Sequence, residues 1–140
     1  MLIDTHCHLE APEFDEDRDA VVRAAQAAGV GVIVVPAIEN GNFAAVRDCC
    51  RRYSMCFPAY GIHPLFIDRV DAQSLAALRD WLSSEAGGEH SPLAAGENLP
   101  LAVGEIGLDF YYPDTDAARQ EEIFIAQLKI ARDLDFPVLL

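Results

Sequence analysis

Met1-Leu2-Ile3-Asp4-Thr5-His6-Cys7-His8-Leu9 runs a short apolar segment straight into two histidines separated by one residue. Side chains alternate faces along an extended chain, so His6 and His8 project to the same side, with Asp4 behind them and Cys7 turned away. Two imidazoles converging at a strand end point to a metal. The competing interpretation of so short a motif is a pair of ordinary polar residues in a loop. The same stretch argues against a dinucleotide-binding sheet, which carries a G-x-G-x-x-G turn after its first strand; Thr5-His6-Cys7-His8 has no glycine at all.

The rest of the chain alternates strand and helix. Leu2 to Thr5 reads as a short buried strand. Asp15 to Ala28 reads as a helix capped by Asp15, with acidic residues in its first turn and Gly29 as a stop. Within Gly31 to Pro36, Val32-Ile33-Val34-Val35 is a β-branched run without alternation, the pattern of a parallel strand covered on both faces. Asn40-Gly41-Asn42 opens a helix to about Tyr53, and Met55 to Tyr60 is a third strand ending in Gly61-Ile62-His63-Pro64. Asp71 begins a helix with Leu75, Leu78 and Leu82 in a stripe beside Trp81, followed by a loop from Gly87 to Pro100 that is either surface decoration or a flap. Leu101 to Ile106 is the fourth strand. Asp116 to Asp135 is a long helix with Ile123, Phe124, Gln127, Leu128 and Ala131 on one side, and Pro137-Val138-Leu139-Leu140 starts a fifth strand.

Four β-α units and a strand start suit either a doubly wound sheet or about the first half of a TIM-type (β/α)8 barrel. The candidate residues decide between them. His6 and His8 follow the first strand, His63 the third, and Glu105 ends the fourth, and a barrel draws its site from the C-terminal ends of successive strands. Residues 1–140 are therefore expected to form the N-terminal part of a single barrel domain.

Composition narrows the function. The 140 residues are 51% hydrophobic and 24% charged, which suits a folded domain. No basic leader or apolar run of about 18 residues is present, so a soluble, cytoplasmic protein with no membrane partner is expected. Cys7, Cys49, Cys50 and Cys56 form no C-x-x-C pair and are read as reduced packing residues. The net charge of −13 excludes a blanket electrostatic grip on nucleic acid, so an anionic substrate needs a local cation.

Glu105 sits in Gly104-Glu105-Ile106-Gly107-Leu108-Asp109-Phe110, where Gly107 is expected to leave space on the same side. With His6 and His8 it makes two histidines and a carboxylate, a set that holds a catalytic zinc with one position open for water; a carboxylate can also bridge two ions. A buried acid paired with arginine is the plainer alternative. Asp4 and Asp109 are expected to orient ligands from behind, or in Asp109's case to cap a following turn. His63 is a candidate for phosphate contact or proton transfer. His90, in a polar glycine-rich loop, is read as solvated. No G-x-S-x-G elbow occurs and Cys7 faces away from the histidines, so acyl-enzyme chemistry has little support.

Taken together, Asp4-Thr5-His6-Cys7-His8, Gly61-Ile62-His63-Pro64, Gly104-Glu105-Ile106-Gly107-Leu108-Asp109, and Arg119-Gln120 through Phe124 and Gln127-Leu128 to Pro137-Val138 resemble the TatD family of metal-dependent hydrolases across the whole chain. The resemblance implies an amidohydrolase-like barrel, two divalent ions (Mg, Zn or Mn), and deoxyribonuclease or related phosphodiester hydrolysis. It also implies that His6 and His8 hold the first ion and that Glu105 bridges both. In that family the strand after Pro-Val leads into a further histidine ligand, with a later histidine and aspartate completing the site. A barrel needs about 250 residues. The expectation is thus a piece of an ordinary enzyme, or a half barrel that associates with itself or a complementary piece. Metal-dependent ester or amide hydrolysis, such as aminoacyl-tRNA deacylation, and a non-catalytic metal-binding fragment remain alternatives.

Overall fold

A computed structural model describes residues 1–85 and 98–140. His90 and most of the Gly87 to Pro100 loop lie outside the described residues. The strands are β1 (Leu2–Asp4), β2 (Val30–Pro36), β3 (Cys56–Tyr60) and β4 (Ala102–Val103); the helices are α1 (Arg18–Ala27), α2 (Phe43–Arg52), α3 (Ala72–Glu85) and α4 (Ala117–Asp133). All four strands are parallel and lie side by side in chain order, β1-β2-β3-β4. Doubly wound sheets reverse their strand order at a switch point. No reversal occurs here, so the sheet winds in one direction, as a barrel wall does. A parallel bridge between Val103 and Val138 lays the expected fifth strand beside β4, and the Leu139 N–H donates to the Val103 carbonyl at 3.0 Å.

The two faces of the wall are distinct because side chains alternate. Ile33, Val35 and Ala37 of β2 and its continuation join Tyr60 and Val103 against Val22, Val46, Leu78, Leu82 and Ile130 of the helices. Val34, Ala59 and Ala102 form a separate small cluster on the opposite face, flanked by Leu101 and Leu139. The helices thus lie on one side only. Trp81 packs with Phe43 and Tyr60, ring centroids 5.7 Å from each.

Local signals set several boundaries. Asp71 accepts from the Ser74 N–H at 2.7 Å and Asp116 accepts from the Arg119 N–H at 2.9 Å, so both open their helices as expected. Asp15 does not cap. Its carboxylate pairs with Arg18 at 2.7 Å while the chain makes a 3₁₀ turn over Pro12–Phe14, and α1 starts three residues later. β4 is two residues long rather than the six expected, because the Glu105 N–H crosses to the Ala37 carbonyl at 3.1 Å and the Ile106 N–H to Leu139 at 3.1 Å. β1 is not buried: Leu2 and Ile3 are exposed, since the strand pairs only with β2 and no described element covers its outer edge.

Candidate metal centre

Backbone hydrogen bonds at the C-terminal ends of the strands gather the site. The Cys7 N–H donates to Val34 at 3.0 Å, His63 to Ile38 at 2.9 Å and Glu105 to Ala37 at 3.1 Å, so the segments carrying His6, His8, His63 and Glu105 are all tied to the end of β2. Close approach there requires glycine. A Cβ on Gly61 would lie 2.7 Å from Ile106 Cγ2, and one on Gly104 would lie 2.5 Å from Leu139 Cβ. Gly107 differs from its expected role: a Cβ there meets nothing within 4 Å, and glycine is favoured instead by a φ of +151°.

His6 Nε2 lies 3.0 Å from Glu105 Oε2, His8 Nε2 lies 3.6 Å from the same oxygen, and the two Nε2 atoms are 3.3 Å apart. Among the described residues, this is the cluster of three potential ligands that forms. Four donors placed tetrahedrally about 2.05 Å from an ion are separated by about 3.3 Å. The triangle observed matches that spacing, so the donor set fits a divalent cation. Burial pulls the Glu105 carboxyl upward, yet the hydrogen bond from His63 and the charges of His6, His63 and His8 outweigh it. The acid is held below its ordinary range, in the ionised form a ligand needs.

His63 faces the other carboxylate oxygen, with Nε2 3.5 Å from Glu105 Oε1. Its Nδ1 accepts the Leu65 N–H at 3.1 Å, which leaves the ring proton on Nε2, pointed at the carboxylate. His63 and Glu105 line an open cleft of about 430 Å³ with Gly107, Leu108, Asp109 and Phe124. Asp4 and Asp109 do not reach the imidazoles by hydrogen bonds. Asp4 Oδ1 accepts the His6 N–H at 3.1 Å, bracing the turn that carries His6, and Asp109 Oδ1 accepts the Tyr111 N–H at 2.9 Å, capping the turn that follows.

Three further residues, Glu10, Gln127 and Gln120, shape the site in roles that the sequence analysis did not assign. Glu10, with a side chain only 7% exposed, places Oε1 3.6 Å from His8 Nδ1 and accepts from Asn42 Nδ2 at 3.2 Å. Burial, ahead of every other influence, pushes its carboxyl above the ordinary value. Gln127 pairs its amide with one residue's backbone, accepting the Ile62 N–H at 2.7 Å and donating to the Ile62 carbonyl at 3.0 Å. Gln120 does the same to Asp109 at 2.8 and 2.9 Å. These α4 amides fix the loops behind His63 and Glu105; polar residues set in an apolar helical stripe were the available signal, since buried amides must be paired.

Cys7 packs toward the helix-side core rather than the imidazoles. All four cysteines are free, and burial raises each thiol above its ordinary value, which disfavours nucleophilic thiolate.

A family model described as TatD related DNase matches residues 3–140. The chain belongs to the TatD family. Among TatD relatives, the uncharacterized metal-dependent hydrolase YjjV of Escherichia coli K12 is 39% identical over 138 residues, covering 99% of this chain and 49% of the relative. The 3'-5' ssDNA/RNA exonuclease TatD of the same organism is 31% identical over 139 residues, covering 99% and 48%. Deoxyribonuclease TATDN3 of Homo sapiens is 33% identical over 142 residues, covering 98% and 50%. The crystal structure of YjjV matches with a TM-score of 0.84 at 38% identity, over 98% of this chain and 49% of that one. The chain thus spans about half the length of these TatD relatives, and its parallel wall is about half of the TatD barrel.

Proposed function

We propose that the complete protein is a divalent-metal-dependent phosphodiesterase acting on nucleic acid, and specifically a deoxyribonuclease, with His6, His8 and Glu105 as metal ligands. The observation that carries this is the donor triangle with edges of 3.0, 3.3 and 3.6 Å, beside a histidine whose proton is fixed on Nε2. The names of the exonuclease and deoxyribonuclease relatives support the choice of bond.

A divalent ion bound there supplies acidified water, with a pKa near about 7, and offsets charge on the phosphoryl oxygens. The chain's own groups do the rest. Glu105 turns Oε2 to the imidazoles of His6 and His8 and Oε1 to that of His63, so its carboxylate would help hold one ion or two while His63 keeps it in place. The one ring proton of His63, on Nε2, points at Glu105 Oε1 on the wall of the cleft, and a non-bridging phosphate oxygen entering there would take that donor. Asp4 and Asp109 hold the two turns that present these groups.

No described helix is long and apolar enough to cross a membrane, and the four free thiols favour a reducing, cytoplasmic setting. The net charge of −13 keeps one rival in view: an ester or amide hydrolase whose substrate is not a polyanion.

The test uses protein expressed from its complete coding region, stripped with chelator and reloaded with Mg, Mn or Zn. Release of nucleotides from an end-labelled oligonucleotide is expected to depend on the ion. His6→Ala and Glu105→Ala should each lower the rate by more than the roughly 100-fold typical of losing a residue behind a ligand. Undiminished cleavage by both variants would remove the site assignment. Turnover of aminoacyl esters with intact DNA would favour the rival.

A further inference from the structure

We propose that Phe110, Tyr111 and Tyr112 form a subsite on which nucleobases flanking the scissile phosphate stack, a role that rests on the nuclease reading for the position of that phosphate. The three rings follow immediately on Leu108 and Asp109, which line the cleft shared by Glu105 and His63. They are 61%, 84% and 53% exposed, in one uninterrupted run. Aromatic side chains bury 150–250 Å² each where they serve a core; these three lie outside the core of the described wall, next in the chain to residues that line the cleft, and are available for contact.

The run is held at its base. The amide of Gln120 clamps both backbone groups of Asp109 at 2.8 and 2.9 Å, and the Asp109 carboxylate fixes the Tyr111 N–H at 2.9 Å. Tyr111 and Tyr112 meet edge to face, centroids 5.1 Å apart at 90°, which leaves both faces of one ring free. A fourth aromatic, the partly exposed Phe66, stands beside the cleft, its ring 6.2 Å from that of His63.

Charge selects the occupant. At a net charge of −13 the chain repels a polyanion, and seven of its ten basic residues, Arg18, Arg47, Arg51, Arg52, Arg79, Arg119 and Arg132, are each paired with a carboxylate. Beyond the local cation at the site, a strand gains affinity from contacts that carry no charge. Stacking on aromatic rings supplies it, tolerates any base, and requires bases that are not already stacked in a duplex.

The experiment compares oligothymidylate with a strand of equal length whose nucleotides flanking the cleaved bond are abasic, using protein from the complete coding region. Wild-type KM should be about 5- to 150-fold lower for the base-bearing strand, the range that one stacked base confers. Tyr111→Ala and Phe110→Ala should move that ratio toward one, while Tyr111→Phe should preserve it. Equal KM for the two strands in the wild type, or a ratio untouched by the alanine variants, would overturn the subsite. A lowered melting temperature or changed oligomeric state with the ratio intact would likewise overturn it and assign the rings to a protein contact. Should neither strand be cleaved, the nuclease reading fails separately. Fluorescence anisotropy of labelled oligothymidylate and abasic strands then decides the subsite: base-dependent binding that Tyr111→Ala weakens supports it, and base-independent binding overturns it.

Discussion

Each ring nitrogen of His8 has a carboxylate oxygen at 3.6 Å, Glu105 on the Nε2 side and Glu10 on the Nδ1 side. An ion taken by Nε2 would leave the ring proton on Nδ1, facing Glu10. Glu10→Gln is expected to weaken divalent-ion binding by about 10- to 100-fold. Titration against a fluorescent chelator measures this; an unchanged affinity would remove Glu10 from the site. The role of Glu10 was not legible in Leu9-Glu10-Ala11. Its burial is made by Asn42, 32 residues on, and no local period announces that contact. His6, His8 and Glu105 could be found because alternation and strand-end position are local properties, whereas the separation of Nε2 and Oε2 is a product of the assembled sheet.

On the scale of elements, α4 is the clearest case of a sequence signal read for one property and missed for another. The stripe through Ile123, Phe124, Gln127, Leu128 and Ala131 correctly placed one face against the core, and Asp116 correctly opened the helix. Gln127 was counted among the apolar positions, although its task is to satisfy the two backbone groups of Ile62 beside His63. Gln127→Leu strands a buried N–H and a buried carbonyl and should cost about 3 kcal/mol, with the urea midpoint falling at unchanged slope. Asp116→Ala should cost about 1 kcal/mol by uncapping the same helix, leaving the His63 loop intact. A Gln127→Leu loss no larger than that of Asp116→Ala would mean that the amide pair does not hold the loop. β4 was overestimated for a related reason. Leu101 to Ile106 has the composition of a strand, but the Glu105 N–H leaves the ladder for Ala37, a choice dictated by closure of the site and invisible in local propensity.

Across the whole molecule, the parallel order of the strands follows from the β-α alternation read in the sequence, and the confinement of helices to one face from the barrel that the strand-end positions of His6, His8, His63 and Glu105 favoured. Exposure of Leu2 and Ile3 does not, because it depends on what lies beside β1. The core carries a chemical consequence in its thiols. Burial raises Cys49 from 9.0 to about 11 and Cys56 from 9.0 to about 12. Raised folded-state values mean that the native protein holds protons the unfolded chain releases. The corresponding stability is fully present below about pH 9 and is lost as pH rises from there through 11 to 12. The urea midpoint should therefore fall between pH 8.5 and about pH 11, less steeply in Cys49→Ala, and thiol reagents at pH 8 should modify the unfolded chain much faster than the native one. A flat alkaline profile would show these thiols to be solvated.

The claim on which the rest depends is that His6, His8 and Glu105 together hold a divalent ion. Equilibrium dialysis against Mn or Zn followed by elemental analysis, on wild type and Glu105→Gln with matching circular dichroism, tests it directly. The geometry predicts at least one bound equivalent in the wild type and a marked loss in the variant; equal metal content in the two proteins would contradict it.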